Sequence, residues 1–399
     1  MTDHTHTPAR TPARTPDPAL DADLARLRAL TGVKWNRYGD DVLPCWVADM
    51  DMPTAPSVTS ALRHLVDRAD FGYNFGALAE LPEVWAQWQV SRHGWTPEPS
   101  RVRVLCDVLQ GVDLALWLGT RPGDGVVLLT PVYPPFFACV ESIGRRVVDC
   151  PLEPGTWRLD VERLESCVSD GDGPVTAIVL CSPHNPTGRV FTRAELEAIA
   201  DVAQRHDLLV ISDEIWGDLV YPGARHIPFA SVSPQAASRT VTLVSASKPF
   251  NLAGLRCAVA HIGPDVLADK VAALPSHLLG GVGSPGAVAS RAAWTEGGGW
   301  LDATVAFLRQ QRDHVAARVA AELPAARMAV PEATYLAWID FSGYGVGDDP
   351  SAWLLEHAKV ALGVGPEFGE HGRGFARLNF ATTRPVLDAA LDRIVAALG

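Results

Sequence analysis

Four short, almost unbroken apolar runs recur in the middle of the chain: VLLT at 127–130, TAIVLC at 176–181, LLVISDE at 208–214 and TVTLVSAS at 240–247. A strand apolar on both faces must be covered on both faces. Residues 194–205 and 264–273 carry the 3.6-residue period of helices that could supply that cover. The alternation predicts a mostly parallel sheet between helices, an α/β fold. The pattern then changes. A helical stretch at 300–323 precedes strand-like TYLAWIDF at 334–341, a helix near 352–362, FARLNFA at 375–381 and a final helix, which together predict a smaller α+β domain.

The balance of the chain narrows its partners. It has 399 residues and a formal net charge of −12, with no basic stretch to offset it. That argues against nucleic acid or an anionic membrane as partner. No apolar run has the length of a membrane span, and the N-terminus lacks an apolar signal core, so the expected location is the cytoplasm. The seven cysteines (45, 106, 139, 150, 167, 181 and 257) are scattered without a CxxC pair. They read as reduced, buried thiols rather than disulfides or metal ligands, and no metal site is expected. Residues 1–22, with TPARTPART, offer almost nothing to bury and read as a disordered tail.

The chemistry gathers at strand ends. SASKPFNLAGLR, residues 245–256, places Lys248 just past an apolar strand, with Ser245, Ser247 and a glycine-containing turn beside it. A strand-end lysine alone reads equally as a solvated surface charge. SDEIW puts Asp213 at the end of a deep strand, where a carboxylate is costly unless it meets a cation or caps a helix. CSPHNPTG, 181–188, ends another strand, and by itself its Asn185 fits a plain loop. After VRVLCDV, the stretch LQGVDLALWL opens a helix at Gln110, Gly111 and Val112, a natural seat for a phosphate. Arg377 lies in a strand pattern with little other charge, and Tyr133 lies in TPVYPPF.

Taken together, these motifs resemble the fold-type I pyridoxal-5′-phosphate (PLP) enzymes of the aminotransferase class I/II superfamily. Arg256, eight residues after Lys248, follows the same pattern. The resemblance implies a seven-stranded-type sheet in a large PLP-binding domain. It implies that Lys248 carries PLP as a Schiff base and later moves the Cα proton. Asp213 would pair with the pyridine nitrogen and keep the ring an electron sink. Asn185 would hydrogen-bond the phenolic oxygen of PLP and also touch substrate, and Trp216, after DEI, lies on the same side. Tyr133 would stack on the ring and take part in catalysis. Ser245, Ser247, Arg256 and the helix start at Gln110, Gly111 and Val112 would hold the phosphate. Tyr73, in FGYNFG, would reach the phosphate of a neighbouring subunit, which makes the expected assembly a homodimer with active sites at the interface. Arg377, in R-x-N-x-A, would anchor the α-carboxylate of an amino-acid substrate.

Further segments resemble the cystathionine β-lyase (C–S lyase) branch of MalY/PatB type: KWNRYGDDVLPCWVADMDMPTAP at 34–56, GYNFG at 72–76, SPHNPTGRVF at 182–191, ATYLAWIDF at 333–341 and GPEFGEHGRGFARLNFA at 365–381. Trp35 of the first would contact substrate. The branch usually has His where this chain has Trp216, Thr where it has Pro249 and Gly where it has Ala333. The implied domains are a tail at 1–22, an N-terminal segment at 23–58 joining the small domain, a large PLP-binding domain at 59–295 and a small domain at 296–399. The implied reaction is β-elimination, cleaving cystathionine or another cysteine S-conjugate to a thiol, pyruvate and ammonia. An aminotransferase, or a specialised enzyme of secondary metabolism, stays open on the same scaffold. A non-catalytic binding protein is disfavoured because Lys248, Asp213, Asn185 and Arg377 are all present.

Overall fold

The computed structural model describes residues 18–399, apart from 74, 171 and 172. Strand β1 (Leu43–Cys45) belongs to a smaller sheet. The next seven build a larger one: β2 (Val102–Leu105), β3 (Gly125–Thr130), β4 (Arg146–Pro151), β5 (Val175–Cys181), β6 (Leu209–Asp213), β7 (Thr240–Val244) and β8 (Ala258–Ile262). The smaller sheet is completed by β9 (Arg327–Met328), β10 (Leu336–Asp340), β11 (Val360–Val364) and β12 (Phe375–Asn379).

The larger sheet has the order β2-β8-β7-β6-β5-β3-β4, and β8 alone runs against its neighbours. Its central strands β3 and β5 are apolar on both faces because each face meets a separate core. Val127, Leu129, Ile178 and Leu180 point into one cluster, while Val126, Leu128, Ala177 and Val179 point into the other. The period-two alternation of a strand accounts for the split. Helix Arg193–Arg205 covers the first face, fixed at its start by a capping box between Thr192 and Glu195. Helix Val108–Gly119 covers the second, capped by Asp107, whose side chain accepts the Gln110 N–H.

The smaller sheet runs β1-β11-β12-β10-β9, with β1 parallel to β11 and the remaining pairs antiparallel. Here the helix expected near 352–362 needs correction. The helix is Pro350–His357; Lys359 then takes a left-handed φ of 54°, and Val360–Val364 enters the sheet as β11. Tertiary pairing on both edges overrides the helical reading. Strand β11 also passes close to its neighbour, and a Cβ at Gly363 would stand 3.2 Å from Arg377 Cβ. The expected tail lies outside the described residues up to position 17. Positions 18–22 open helix Pro18–Arg28, which has proline at its first turn and docks Leu24 and Leu27 in the core beside the C-terminal helix Arg384–Leu398. Helices Pro56–Asp67, Gly76–His93 and Ser284–Glu296 and strands β1, β4 and β8 were not anticipated. Among the described residues no helix is long and apolar enough to cross a membrane.

Candidate active site

The carboxyl ends of β5, β6 and β7 open onto a cavity of about 200 Å³. Crevices form there in α/β sheets because the strands end and the connections part. Nine of the expected site residues line it: Tyr133, Asn185, Asp213, Trp216, Ser245, Ser247, Lys248, Arg256 and Arg377.

Asn185 follows β5 in a loop that cannot shift easily. Gly188 closes it with φ +68°, and any Cβ there would collide with Pro331 and crowd the Ala333 carbonyl. Asn185 is buried and its Oδ1 accepts from Arg377 Nη1 at 2.9 Å. A guanidinium only donates, so the amide must turn its oxygen toward Arg377, leaving Nδ2 as the donor for a ligand.

Arg377 comes from β12 across the crevice. Its Nη2 donates to the Trp46 carbonyl at 2.9 Å, and its guanidinium lies 5.0 Å from the centre of the Phe368 ring. Among the described residues no carboxylate pairs with it, its Nε is buried without an acceptor, and burial pulls its pKa down to about 10. Asp213 shows the opposite need. Its Oδ1 accepts the Ile215 N–H at 3.0 Å, but no lysine or arginine is within ion-pair distance among the described residues. Burial therefore pushes its carboxyl up to about 7.

Lys248 stands between these charges. Its Nζ donates to the Ala48 carbonyl at 2.7 Å and lies 5.8 Å from the centre of the Trp216 ring. Burial lowers its pKa below the ordinary lysine value. Tyr133 is raised above the ordinary phenol, again by burial, and meets Phe136 edge-on.

At the far end the anion seat differs from expectation. Gln110, Gly111 and Val112 do not line the cavity. Gln110 accepts the Cys106 N–H and donates to the Leu279 carbonyl, Gly111 packs onto Leu243, and Val112 is fully buried in the core. The helix start that reaches the cavity is Val108 and Leu109, immediately before Gln110 and beside Asp107. Asp107 pairs with Arg256, an exposed side chain on a left-handed backbone (φ 52°). Ser245 spends its hydroxyl proton on the Cys257 carbonyl at 2.6 Å and accepts the Ser247 N–H, so it braces the turn.

Two further expectations fall outside the cavity. Trp35 donates to Asp51 at 2.7 Å, and Lys34 pairs with the same carboxylate at 2.8 Å. This buried trio fastens the N-terminal segment and does not line the site. Tyr73 is fully exposed, between exposed Phe71 and Phe75. Motif reading missed Val47 and Ala48, which line the cavity, and Asp107, whose place before an apolar helix reads only as a cap. Residues 46–52 are pinned from both sides. Asn379 donates to the carbonyls of Val47 and Asp49, Asn251 to those of Met50 and Met52. No group of three or more His, Cys, Asp or Glu among the described residues could hold a metal ion.

The set fits pyridoxal phosphate on physical grounds. An unpaired buried carboxyl suits a ring cation, a free amide N–H suits a phenolate oxygen, a lysine amine suits an aldehyde, and a helix start with an arginine suits a phosphate. Comparisons agree. The model of the family "Aminotransferase class I and II" matches residues 49–394. The chain is 38% identical to the cystathionine beta-lyase PatB of Bacillus subtilis, over 92% of this chain and 96% of that one. Its fold is similar to the crystal structure of OvoB (TM-score 0.86, 40% identity, covering 93% of this chain and 97% of that one). It is likewise similar to the PLP-bound C–S lyase from Staphylococcus hominis (TM-score 0.86, 29% identity, 93% and 96% covered).

Proposed function

Because the chain belongs to the aminotransferase class I and II family, we propose that it is a PLP-dependent carbon–sulfur β-lyase. It takes a cysteine S-conjugate, such as cystathionine, and one water to a thiol, pyruvate and ammonia. One observation carries this reading. Lys248, a carboxyl lacking a cation and a guanidinium lacking a carboxylate face one cavity, in a chain alike over nearly its whole length to a cystathionine β-lyase.

When bound, the cofactor supplies an electron sink conjugated to the substrate's Cα. The protein does the rest. Lys248 anchors the cofactor and, once its amine is free, takes the Cα proton; a pKa lowered by burial keeps more of that amine unprotonated near neutral pH. Asp213 holds the ring cation and Asn185 Nδ2 donates at its oxygen. Tyr133 stacks on the ring. Val108, Leu109, Ser247 and Arg256 hold the phosphate. Each Arg377 Nη keeps a second N–H beyond those given to Asn185 and Trp46, and these bind the substrate α-carboxylate. Residues 59–295 form the cofactor-binding domain, and 296–399, joined by 23–58, the smaller one. The exposed aromatic loop carrying Tyr73 packs against a second copy and completes its phosphate site. The seven unpaired cysteines suit a reducing cytoplasm.

The test is turnover without a keto acid. Enzyme given cysteine S-conjugates alone should release pyruvate and thiol through many cycles. A single turnover that restarts only on adding a keto acid would establish an aminotransferase. A second expectation concerns Arg377→Lys, which keeps the charge and loses the planar fork. KM for amino-acid substrates should rise about 10- to 100-fold while cofactor absorbance stays normal; an unchanged KM would move the carboxylate anchor elsewhere.

A further inference from the structure

Lys248, like the other cations of the cavity, already has a seat. Its Nζ donates to the Ala48 carbonyl at 2.7 Å, and the face of Trp216 lies 5.8 Å away. Both halves of that seat are held by one residue far along the chain. Tyr335 is fully buried; its hydroxyl donates to the same Ala48 carbonyl at 2.9 Å, and its ring meets Trp216 edge-on at 4.7 Å. Tyr335 is itself fixed. The Phe380 N–H donates to its carbonyl, and the preceding Thr334, at φ 70°, donates its N–H to the Leu219 carbonyl and accepts from Tyr221.

We propose that Ala48 O and the Trp216 ring form a resting nest for the Lys248 ammonium, and that Trp216 and Tyr335 are positioning residues for it. The proposal rests on the reading of Lys248 above. A lysine that takes the Cα proton becomes an ammonium, which must be held in place until it gives that proton up. In a buried site, a loose ammonium on a four-carbon stem would wander. A carbonyl oxygen and an aromatic face both favour the charged form and fix its direction. The other charged or titratable groups facing Nζ are Asp49 from the N-terminal segment, Asp213 from the end of β6, Arg377 from β12 and Tyr133 from the loop after β3. Asp49 and Asp213 favour the ammonium, Arg377 opposes it, and the nest adds to the favourable side.

The experiment reads Lys248 directly. Full-length protein stripped of cofactor is treated with cyanate across pH 6–10, and carbamylation of Lys248 is followed by peptide mass spectrometry. Loss of the ring in Trp216→Leu, or of the tether in Tyr335→Phe, should lower the pH midpoint by about 0.5 or more, since the charged amine loses support. Trp216→Phe, which keeps a ring, should recover most of the shift. Tyr335→Phe retains the packed ring and serves if Trp216→Leu does not fold. Midpoints equal to wild type in Tyr335→Phe, with melting unchanged, overturn the nest. Failure of borohydride to trap cofactor on wild-type Lys248 would instead overturn the proposed function, so the two failures are told apart.

Discussion

Lys248→Ala should abolish the borohydride-trapped attachment of cofactor and lower turnover by about 10³-fold or more, leaving the fold intact. The effect is large because two duties fall on one amine. It anchors the cofactor, and it is the basic group the cavity presents toward Cα once the substrate amine has displaced it. The other titratable groups lining the cavity serve less well as bases. Asp213 accepts the Ile215 N–H and, in the proposed function, is committed to the ring cation; Tyr133 is raised above the ordinary phenol, and Arg377 stays a cation. Stability should change little or improve, since the variant no longer confines an ammonium that burial disfavours. Absorbance, reduction with borohydride followed by peptide mapping, and pyruvate release check each part. Residual cofactor that reduces onto the protein with wild-type yield would mean that another lysine carries it; Lys34, which is buried, is tied to Asp51.

The middle of the larger sheet, β3, β5, β6 and β7, was legible because these strands are largely apolar, and β6 and β7 lead into residues that are costly to bury. Asp213 and Lys248 stand out in such surroundings, as Arg377 does in β12. What escaped was set by contacts distant in sequence. Residues 358–364 look helical beside Pro350–His357, and only pairing with β1 and β12 makes β11 a strand. Gln110, Gly111 and Val112 follow the phosphate-seat pattern, yet the helix begins two residues earlier at Val108 and Asp107 takes the Gln110 N–H, so the N–H groups left at the cavity are those of Val108 and Leu109. Trp35 belongs to a family signature whose work here is an anchor, with Asp51 and Lys34. Tyr335 carried no chemical motif at all. Its role appears only when β10, the N-terminal segment and the loop after β6 are brought together.

Asp213→Asn should give opposite signs in two measurements, and that opposition is the most discriminating outcome. Without cofactor, burial keeps the carboxyl at about 7 against an ordinary 3.8. Between those values the folded chain holds a proton that the unfolded chain has released. Raising the pH through that window therefore destabilises the fold; the contribution is fully present below about 4 and lost as pH rises through about 7. At 1.36 kcal/mol per pH unit, the cost at pH 8 reaches roughly 4 kcal/mol as an upper bound. An amide does not titrate, so cofactor-free Asp213→Asn should melt at a higher temperature than wild type at pH 8 and at a similar one at pH 5. With cofactor the order reverses. The ring cation turns the wild-type carboxylate from a burden into half of a buried pair, and breaking such a pair on one side costs about 3–5 kcal/mol. The variant should bind cofactor more weakly and turn over ~10²-fold or more slowly, because an amide cannot keep the ring protonated. Thermal melts at pH 5 and 8, with and without cofactor, and pyruvate release at saturating substrate read both halves. Parallel melting curves for the two cofactor-free proteins would show that Asp213 is not the buried acid described, and a near-normal rate in the loaded variant would remove it from the chemistry.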